Sequence, residues 1–229
     1  MLELHSISKR FGQNLVLKDI SVTFKPKSIT LLGGANGSGK STLLKIMAGL
    51  IKPSSGQITH SAHFEESSKR LAYVGHATFI YPNLTALENL RFWQNCYHLD
   101  LSIDDLEDLL SQFGLEPFMD SYPRIFSRGM QQKLSLARAF MLKPAICLLD
   151  EPNTGLDQAS QEFCQQKLLE LKESGSCIVC ISHSIASDQK IADQIYTLQK
   201  GELNPFHFSQ TNAKNEPLVS QGSKRLCAE

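Results

Sequence analysis

Residues 34–42 read Gly-Ala-Asn-Gly-Ser-Gly-Lys-Ser-Thr, and the apolar stretch Ser-Ile-Thr-Leu-Leu at 28–32 precedes them. This stretch fits the phosphate-loop pattern G-x-x-x-x-G-K-[ST], with a predicted strand before it and a predicted helix after it. In such a loop the backbone N–H groups converge on phosphate oxygens, and the N-terminus of the helix adds positive partial charge. The segment therefore predicts a binding site for a nucleoside triphosphate.

The phosphate loop assigns expected roles to individual side chains. Lys40 is expected to reach the β and γ phosphates as a point charge, and the Ser41 hydroxyl to bind Mg²⁺. We expect the helix to begin at Ser41 or Thr42. A glycine-rich turn that holds no ligand is the alternative, and the flanking strand and helix disfavour it. The predicted nucleotide-binding residues of the loop are Gly34, Ala35, Asn36, Gly37, Ser38, Gly39, Lys40, Ser41 and Thr42.

A second apolar run, Ala-Ile-Cys-Leu-Leu at 145–149, ends in two acidic residues, Asp150 and Glu151. A run without alternation is typical of a parallel strand buried on both faces. Its carboxyl end would lie at the same sheet edge as the phosphate loop. We expect Asp150 to join the Mg²⁺ shell and Glu151 to activate the attacking water. The alternative is a pair of surface acids opening a loop before Pro152.

Three further segments follow in a fixed order: Ser-Arg-Gly at 127–129 before the helical pattern 133–140, Gly-Leu-Asp at 155–157, and His183 after the apolar strand 177–182. With the two motifs above, they resemble the ATP-binding subunits of ABC transporters over about residues 1 to 200. The resemblance implies an α/β fold: a P-loop NTPase core with a mixed sheet and flanking helices, plus a smaller helical lobe.

The same resemblance implies roles for residues outside the loop. Phe11 would stack on adenine, a contact that any aromatic ring can make. Ser127 and Gly129 would contact the γ-phosphate of a nucleotide held by a second subunit, and Asp157 would cross the dimer interface. His183 would touch the γ-phosphate. The implied catalytic residues are Glu151, His183 and Lys40, and the implied cofactors are ATP and Mg²⁺.

The chain departs from the family pattern at two places. The signature reads Phe-Ser-Arg-Gly-Met at 126–130, where the family has Leu-Ser-Gly-Gly-Gln, and we expect it to remain functional because Ser127 and Gly129 are kept. His76 stands where the family has a glutamine that links Mg²⁺ to the membrane partner. An imidazole differs from an amide in reach and in hydrogen bonding, so a metal role for His76 is an open expectation.

Residues 73–76 and 81–92 resemble the ATP-binding subunits of cytochrome c maturation systems, the haem exporter ATPases. That resemblance implies haem export or release, transmembrane partner subunits, a homodimer, and a location on the cytoplasmic face of the bacterial inner membrane. Residues 76–90 would dock the partner. Two alternatives stay open: the ATPase of another small exporter, for a drug, lipid or polysaccharide, and a soluble ATP-driven switch, which a single compact cassette disfavours.

Composition agrees with such a subunit. The 229 residues carry 23 basic and 23 acidic side chains, so the basic footprint of a nucleic-acid-binding protein is missing. No stretch approaches the roughly 18 apolar residues of a membrane span, and the first residues lack the apolar core of a signal peptide. We expect membrane contact only through partners.

The predicted organisation is an ATP-binding domain over residues 1–205, with a helical lobe at about 77–143, and a polar, flexible tail at 206–229. Within the lobe, Thr85 and Glu88 predict a capping box, and residues 104–113 predict a helix. Residues 195–202 predict a hairpin. The spacing of Cys177 and Cys180 can mark a redox or metal site. On a strand these thiols would point to opposite faces, which favours a structural role.

Overall fold

The computed structural model describes residues 1–60, 71–182 and 185–206. His183 and residues 207–229 of the predicted tail lie outside them. The strands are β1 Leu2–Phe11, β2 Asn14–Phe24, β3 Ser28–Gly33, β4 Ser55–His60, β5 Leu71–Val74, β6 Ile146–Asp150, β7 Cys177–Ile181, β8 Gln194–Gln199 and β9 Glu202–Pro205. The α-helices are α1 Lys40–Met47, α2 Ala86–Cys96, α3 Ile103–Gln112, α4 Arg128–Met141, α5 Gln158–Glu173 and α6 Ile185–Asp188. Short 3₁₀ turns lie at Glu116–Phe118, Pro123–Ile125 and Gln189–Ile191.

The central sheet has the strand order β5-β6-β7-β3-β8-β9. Its pairs are parallel from β5 to β8, while β9 pairs antiparallel with β8, so the sheet is mixed as predicted. Every residue of β3, β6 and β7 is buried, which explains their continuous apolar runs. The carboxyl ends of β3 and β6 therefore open at the same edge, one strand apart.

Two hydrophobic cores cover the two faces of this sheet. Cys147 and Cys180 pack with the helical lobe on one face, and Leu148 and Cys177 pack with β1, β2 and α1 on the other. Alternation along each strand divides neighbouring residues between the two cores. Cys177 and Cys180 therefore belong to opposite cores, which confirms the structural reading of their spacing.

A smaller antiparallel sheet has the order β2-β1-β4. Its strand β1 runs without interruption from Leu2 to Phe11. The register shifts after Leu4, and Ser6 takes a φ of +50° with its N–H donating to Ser21 Oγ. This irregularity is a bulge, and it allows the strand to bend and continue. The extension carries Phe11 to the end of β1, beside the phosphate loop.

The helical lobe consists of α2, α3 and the start of α4 with their connections. Thr85 and Glu88 form the predicted capping box: the Thr85 side chain accepts from the Glu88 N–H, and the Glu88 carboxylate accepts from the Thr85 N–H. The helix predicted at 104–113 spans Ile103–Gln112 and has a second capping box, formed by Ser102 and Asp105. Within the described ranges, no helix has the length and apolar character needed to cross a membrane.

Candidate functional site

The phosphate loop lies between the end of β3 and the start of α1. The helix begins at Lys40, one residue earlier than expected, because Gly39 takes a φ of +107° and forms the N-cap. Gly34 has a φ of +134°, and a Cβ there would lie 2.4 Å from the carbonyl O of Leu198. Both positions therefore require glycine, for backbone conformation and, at Gly34, for close approach.

Lys40 is buried, and its ammonium group lies over the loop. Nζ donates hydrogen bonds to the carbonyl oxygens of Gly34 at 2.7 Å and Ala35 at 3.0 Å. These contacts hold the positive charge where the loop backbone would meet an anion. A positive charge is thus fixed at the loop, as the prediction of a phosphate site requires.

A cavity of about 530 Å³ opens above the loop. It joins segments that are far apart in the chain: the end of β1, the phosphate loop, the residue after β5, and the residue after β6. Its lining residues are Phe11, Val16, Asn36, Gly37, Gly39, Lys40, Ser41, Thr42, His76 and Glu151. The structure thus brings together residues predicted to bind the base, the phosphates and the metal.

Phe11 stands at the rim of this cavity, with 49% of its surface exposed. Lys9 Nζ lies 5.0 Å from the ring centroid and donates a hydrogen bond to the Lys52 carbonyl O at 2.7 Å. The ammonium therefore makes a cation–π contact with the ring. A planar base could stack on the ring where it remains exposed.

Asp150 ends β6 and is 2% exposed. Neither carboxylate oxygen has a hydrogen-bond partner among the described residues. A buried carboxylate without partners is costly, and a hard cation would satisfy it. With the Ser41 hydroxyl in the adjoining cavity, the donors are oxygens of the type Mg²⁺ prefers. The residues present fit this cation.

Glu151 follows Asp150 and takes a φ of +57°, a strained conformation for a side-chain-bearing residue. Its N–H donates to the Ile181 carbonyl O at 3.2 Å, which ties it to the end of β7. The Thr154 hydroxyl donates to Glu151 Oε2 at 3.5 Å. The carboxylate is thereby held at the edge of the phosphate-loop cavity.

His76 lies beside the two carboxylates. Its Nε2 is 3.7 Å from Glu151 Oε1, and ligand atoms of His76, Asp150 and Glu151 all lie within 4.8 Å of one another. The residue that replaces the family glutamine therefore lies close to Asp150, the predicted Mg²⁺ ligand.

A second cavity, of about 580 Å³, lies between these acids and the first turns of α4. Sequence reasoning gave no role to three of its lining residues, Arg128, Gln132 and Thr154. Gln132 Nε2 donates to the Pro152 carbonyl O at 3.1 Å and so fixes the loop after Glu151. Arg128 and Gln132 are four residues apart and therefore share one face of α4. This spacing is visible in the sequence and could have identified the two residues as neighbours.

Ser127, Gly129 and Asp157 lie elsewhere. Ser127 caps α4 by accepting from the Met130 N–H, and Asp157 caps α5 by accepting from the Ser160 N–H. That hydrogen bond lowers the pKa of Asp157. None of the three is among the described residues that line the phosphate-loop cavity of the same chain. The predicted signature and dimer-interface residues are therefore not part of the phosphate site of their own chain.

Comparisons with known proteins agree with this geometry. The family model described as ABC transporter matches residues 17–154. The probable sulfate/thiosulfate import ATP-binding protein CysA of Chlorella vulgaris is 34% identical over 207 residues, which cover 87% of this chain and 88% of that protein. The cytochrome c biogenesis ATP-binding export protein CcmA of Rickettsia typhi is 34% identical over 185 residues, covering 80% of this chain and 92% of that protein.

A similar fold is found in a dimeric structure of a post-hydrolysis state of the ATP-binding cassette MJ0796, bound to ADP and Pi. The TM-score is 0.78 at 28% identity, and the alignment covers 89% of this chain and 96% of that chain. The import and export relatives are equally identical to this chain. Sequence identity therefore does not separate the two transport classes.

Proposed function

This chain belongs to the ABC transporter family as an ATP-binding subunit, and from that premise we propose that it powers the cytochrome c maturation system, where its ATP hydrolysis supports haem export or haem release. The chain is an ATPase of this family. The observation that carries the haem proposal is the Gly75–His76 pair after β5, where His76 replaces the family glutamine.

We propose that the chemistry takes place between the phosphate loop and the end of β6. Lys40 and the loop N–H groups would bind the β and γ phosphates, and Phe11 would stack on the base. Ser41 and Asp150 would hold Mg²⁺, which neutralises phosphate charge when bound. Glu151 would accept the proton of the attacking water as general base. The γ-phosphate contact proposed for His183 rests on the family resemblance.

A second copy of the chain would complete the site. Ser127 and Gly129 begin α4, whose N-terminus offers positive partial charge, yet they do not line the phosphate-loop cavity of their own chain within the described residues. We propose that each pair serves the nucleotide of the other copy. Two ATP molecules would then be sandwiched, and hydrolysis would reopen the dimer and move the membrane partner.

The transmembrane partner would dock on a groove between the sheet edge and the helical lobe. The groove has a volume of about 280 Å³ and includes Tyr73, Phe79, Trp93 and Arg138 in its lining. Phe79 is half exposed, takes a φ of +51°, and also lines the cavity beside Glu151. Phe79, whose backbone is strained, therefore lines both the docking groove and the cavity beside Glu151. A conformational change that passes from the nucleotide site to the membrane partner would need such a shared residue.

The experiment is an affinity purification of the tagged Glu151→Gln chain from mildly solubilised membranes in ATP, followed by mass spectrometry. A retained cytochrome c assembly membrane protein supports the haem proposal. A different permease would instead assign the chain to another small ABC exporter, for a drug, lipid or polysaccharide, which is the second candidate. Recovery of no membrane protein would favour a soluble switch.

A matched pair of variants tests the docking groove in the same purification. Phe79→Asn removes the exposed ring while keeping a residue that tolerates positive φ. Phe118→Asn removes a comparably exposed aromatic ring elsewhere in the lobe. We expect Phe79→Asn to lose the membrane partner and Phe118→Asn to retain it. Equal retention by both variants would place the docking surface elsewhere.

A further inference from the structure

We infer that His76, Asp150 and Glu151 form a binding site for a borderline transition cation of the Zn²⁺ class, which fills without nucleotide and inhibits hydrolysis while it is filled. The inhibitory part rests on the proposed role of Glu151 as general base. The binding part rests only on the three side chains and their geometry.

The three side chains lie close to one another, slightly farther apart than the ligands of a single ion. His76 Nε2 and Glu151 Oε1 are 3.7 Å apart, and all three potential ligand atoms fall within a 4.8 Å span. Zn²⁺ binds nitrogen and oxygen ligands at about 2.0 to 2.2 Å, so two ligands of one ion stand roughly 3.3 to 3.5 Å apart. Small side-chain rotations would therefore close the site.

Asp150 gives a second and independent reason to expect a cation at this site. Its carboxylate is almost fully buried, and both oxygens are without hydrogen-bond partners among the described residues. Such a group is destabilising until a proton or a cation satisfies it. Binding of a cation here is favoured because it removes the free-energy cost of the buried Asp150 carboxylate, which otherwise destabilises the folded protein.

The imidazole determines which cation is favoured. Imidazole suits Zn²⁺, Cu²⁺ and Ni²⁺, whereas Mg²⁺ prefers oxygen ligands and retains its waters. The glutamine usual in this family offers an amide oxygen at the same position, so His76 changes the donor set from oxygens alone to nitrogen and oxygen. Of the nearby cationic groups, Lys40 donates to loop carbonyls, and Arg128 lines the second cavity.

Binding of a cation at this site has a consequence for hydrolysis. A carboxylate that ligates a transition metal is a poor proton acceptor because its lone pairs are engaged and its charge is neutralised. Glu151 would then be unable to activate water. Free Zn²⁺ would act as an inhibitor that is reversed by chelation.

The binding test is a calorimetric titration of the full chain with ZnCl₂ in the absence of nucleotide. We compare the wild type with His76→Gln, which restores the family residue, and with His60→Gln, which changes an exposed histidine on β4. We expect His76→Gln to weaken Zn²⁺ binding by about tenfold or more, since even outer-shell changes have effects of this size. His60→Gln should match the wild type. Equal affinity of all three proteins would overturn the site.

A second measurement separates the inference from the proposed function. Phosphate release in MgATP is followed with and without added Zn²⁺, and thermal melting with MgATP confirms that His76→Gln is folded and binds nucleotide. We expect Zn²⁺ to inhibit the wild type and His60→Gln, and chelator to reverse the inhibition, while His76→Gln resists. Zn²⁺ binding that depends on His76 but leaves hydrolysis unchanged would overturn the inhibitory part. Full activity of Glu151→Gln would overturn the proposed role of Glu151 instead.

Discussion

Tyr73 lies on the strand next to Asp150, and its pKa is raised to about 12 by burial and, second, by the charge of the Asp150 carboxylate. A phenol is neutral or negative at any pH, so Tyr73 provides no positive charge to offset the acid. Asp150 also has no hydrogen-bond partner among the described residues. A buried carboxylate without such partners is costly until a cation satisfies it.

Asp150→Asn should make the metal-free protein more stable while lowering Mg²⁺-dependent hydrolysis. A neutral amide avoids the penalty of a buried, unsatisfied charge, so we expect the free energy of unfolding to rise by about 1 to 3 kcal/mol. Urea denaturation in the presence of a chelator measures it. Asp108→Asn on the exposed face of α3 is the control and should change little. A destabilised Asp150→Asn would mean that the carboxylate is satisfied in solution.

Glu151→Gln should abolish turnover and leave an ATP-bound dimer. The amide keeps the shape of the side chain but cannot accept a proton, and loss of a general base typically lowers the rate by about 10² to 10⁴. Phosphate release measures the rate, and size-exclusion chromatography in ATP measures the dimer.

The matched control for this variant is Glu107→Gln, an exposed acid on α3 with no contact to the cavity. It should hydrolyse ATP at the wild-type rate and elute as the wild type does. If Glu151→Gln turned over at the normal rate, another group would have to activate the water.

If each nucleotide site is formed by two copies of the chain, two inactive variants should complement each other. Lys40→Ala removes the phosphate-loop charge, and Ser127→Arg blocks the signature that would serve the other copy. A mixed dimer of the two has one site in which both elements are intact. Occlusion of radiolabelled ATP should therefore return on mixing, although each variant alone lacks it. A mixture as inactive as its components would argue that both elements serve the nucleotide of one chain.

The sequence was sufficient for features that depend on contiguous residues. The phosphate loop, the buried strands β3 and β6 and the Thr85–Glu88 capping box each follow from local spacing, and the structure has them. The bulge in β1 has no such local signal, because it needs a φ of +50° at Ser6 and a serine does not indicate that conformation.

Contacts between segments that are distant in the sequence could not be predicted from local sequence patterns. The cavity shared by Glu151, Gln132 and Arg128 forms only when α4 packs beside the end of β6. The hydrogen bond from Thr154 to Glu151 depends on a tight turn after the strand. Motif spacing identified the acids at the end of β6, whereas packing determines which side chains hold them.

Alkaline pH should destabilise the protein through its buried thiols. Burial raises the pKa values of Cys164 and Cys177 from 9.0 to about 12. Above pH 9 the unfolded chain releases these protons while the folded chain keeps them, so the free energy of unfolding falls as pH rises toward 12. Between about pH 8 and pH 10 the loss is roughly 1 kcal/mol per thiol. Urea denaturation at both pH values should show this loss reduced by that amount in Cys164→Ala and unchanged in Cys96→Ala, whose thiol is exposed. An equal loss in both variants would mean that the Cys164 thiol ionises as readily in the folded protein as in the unfolded chain.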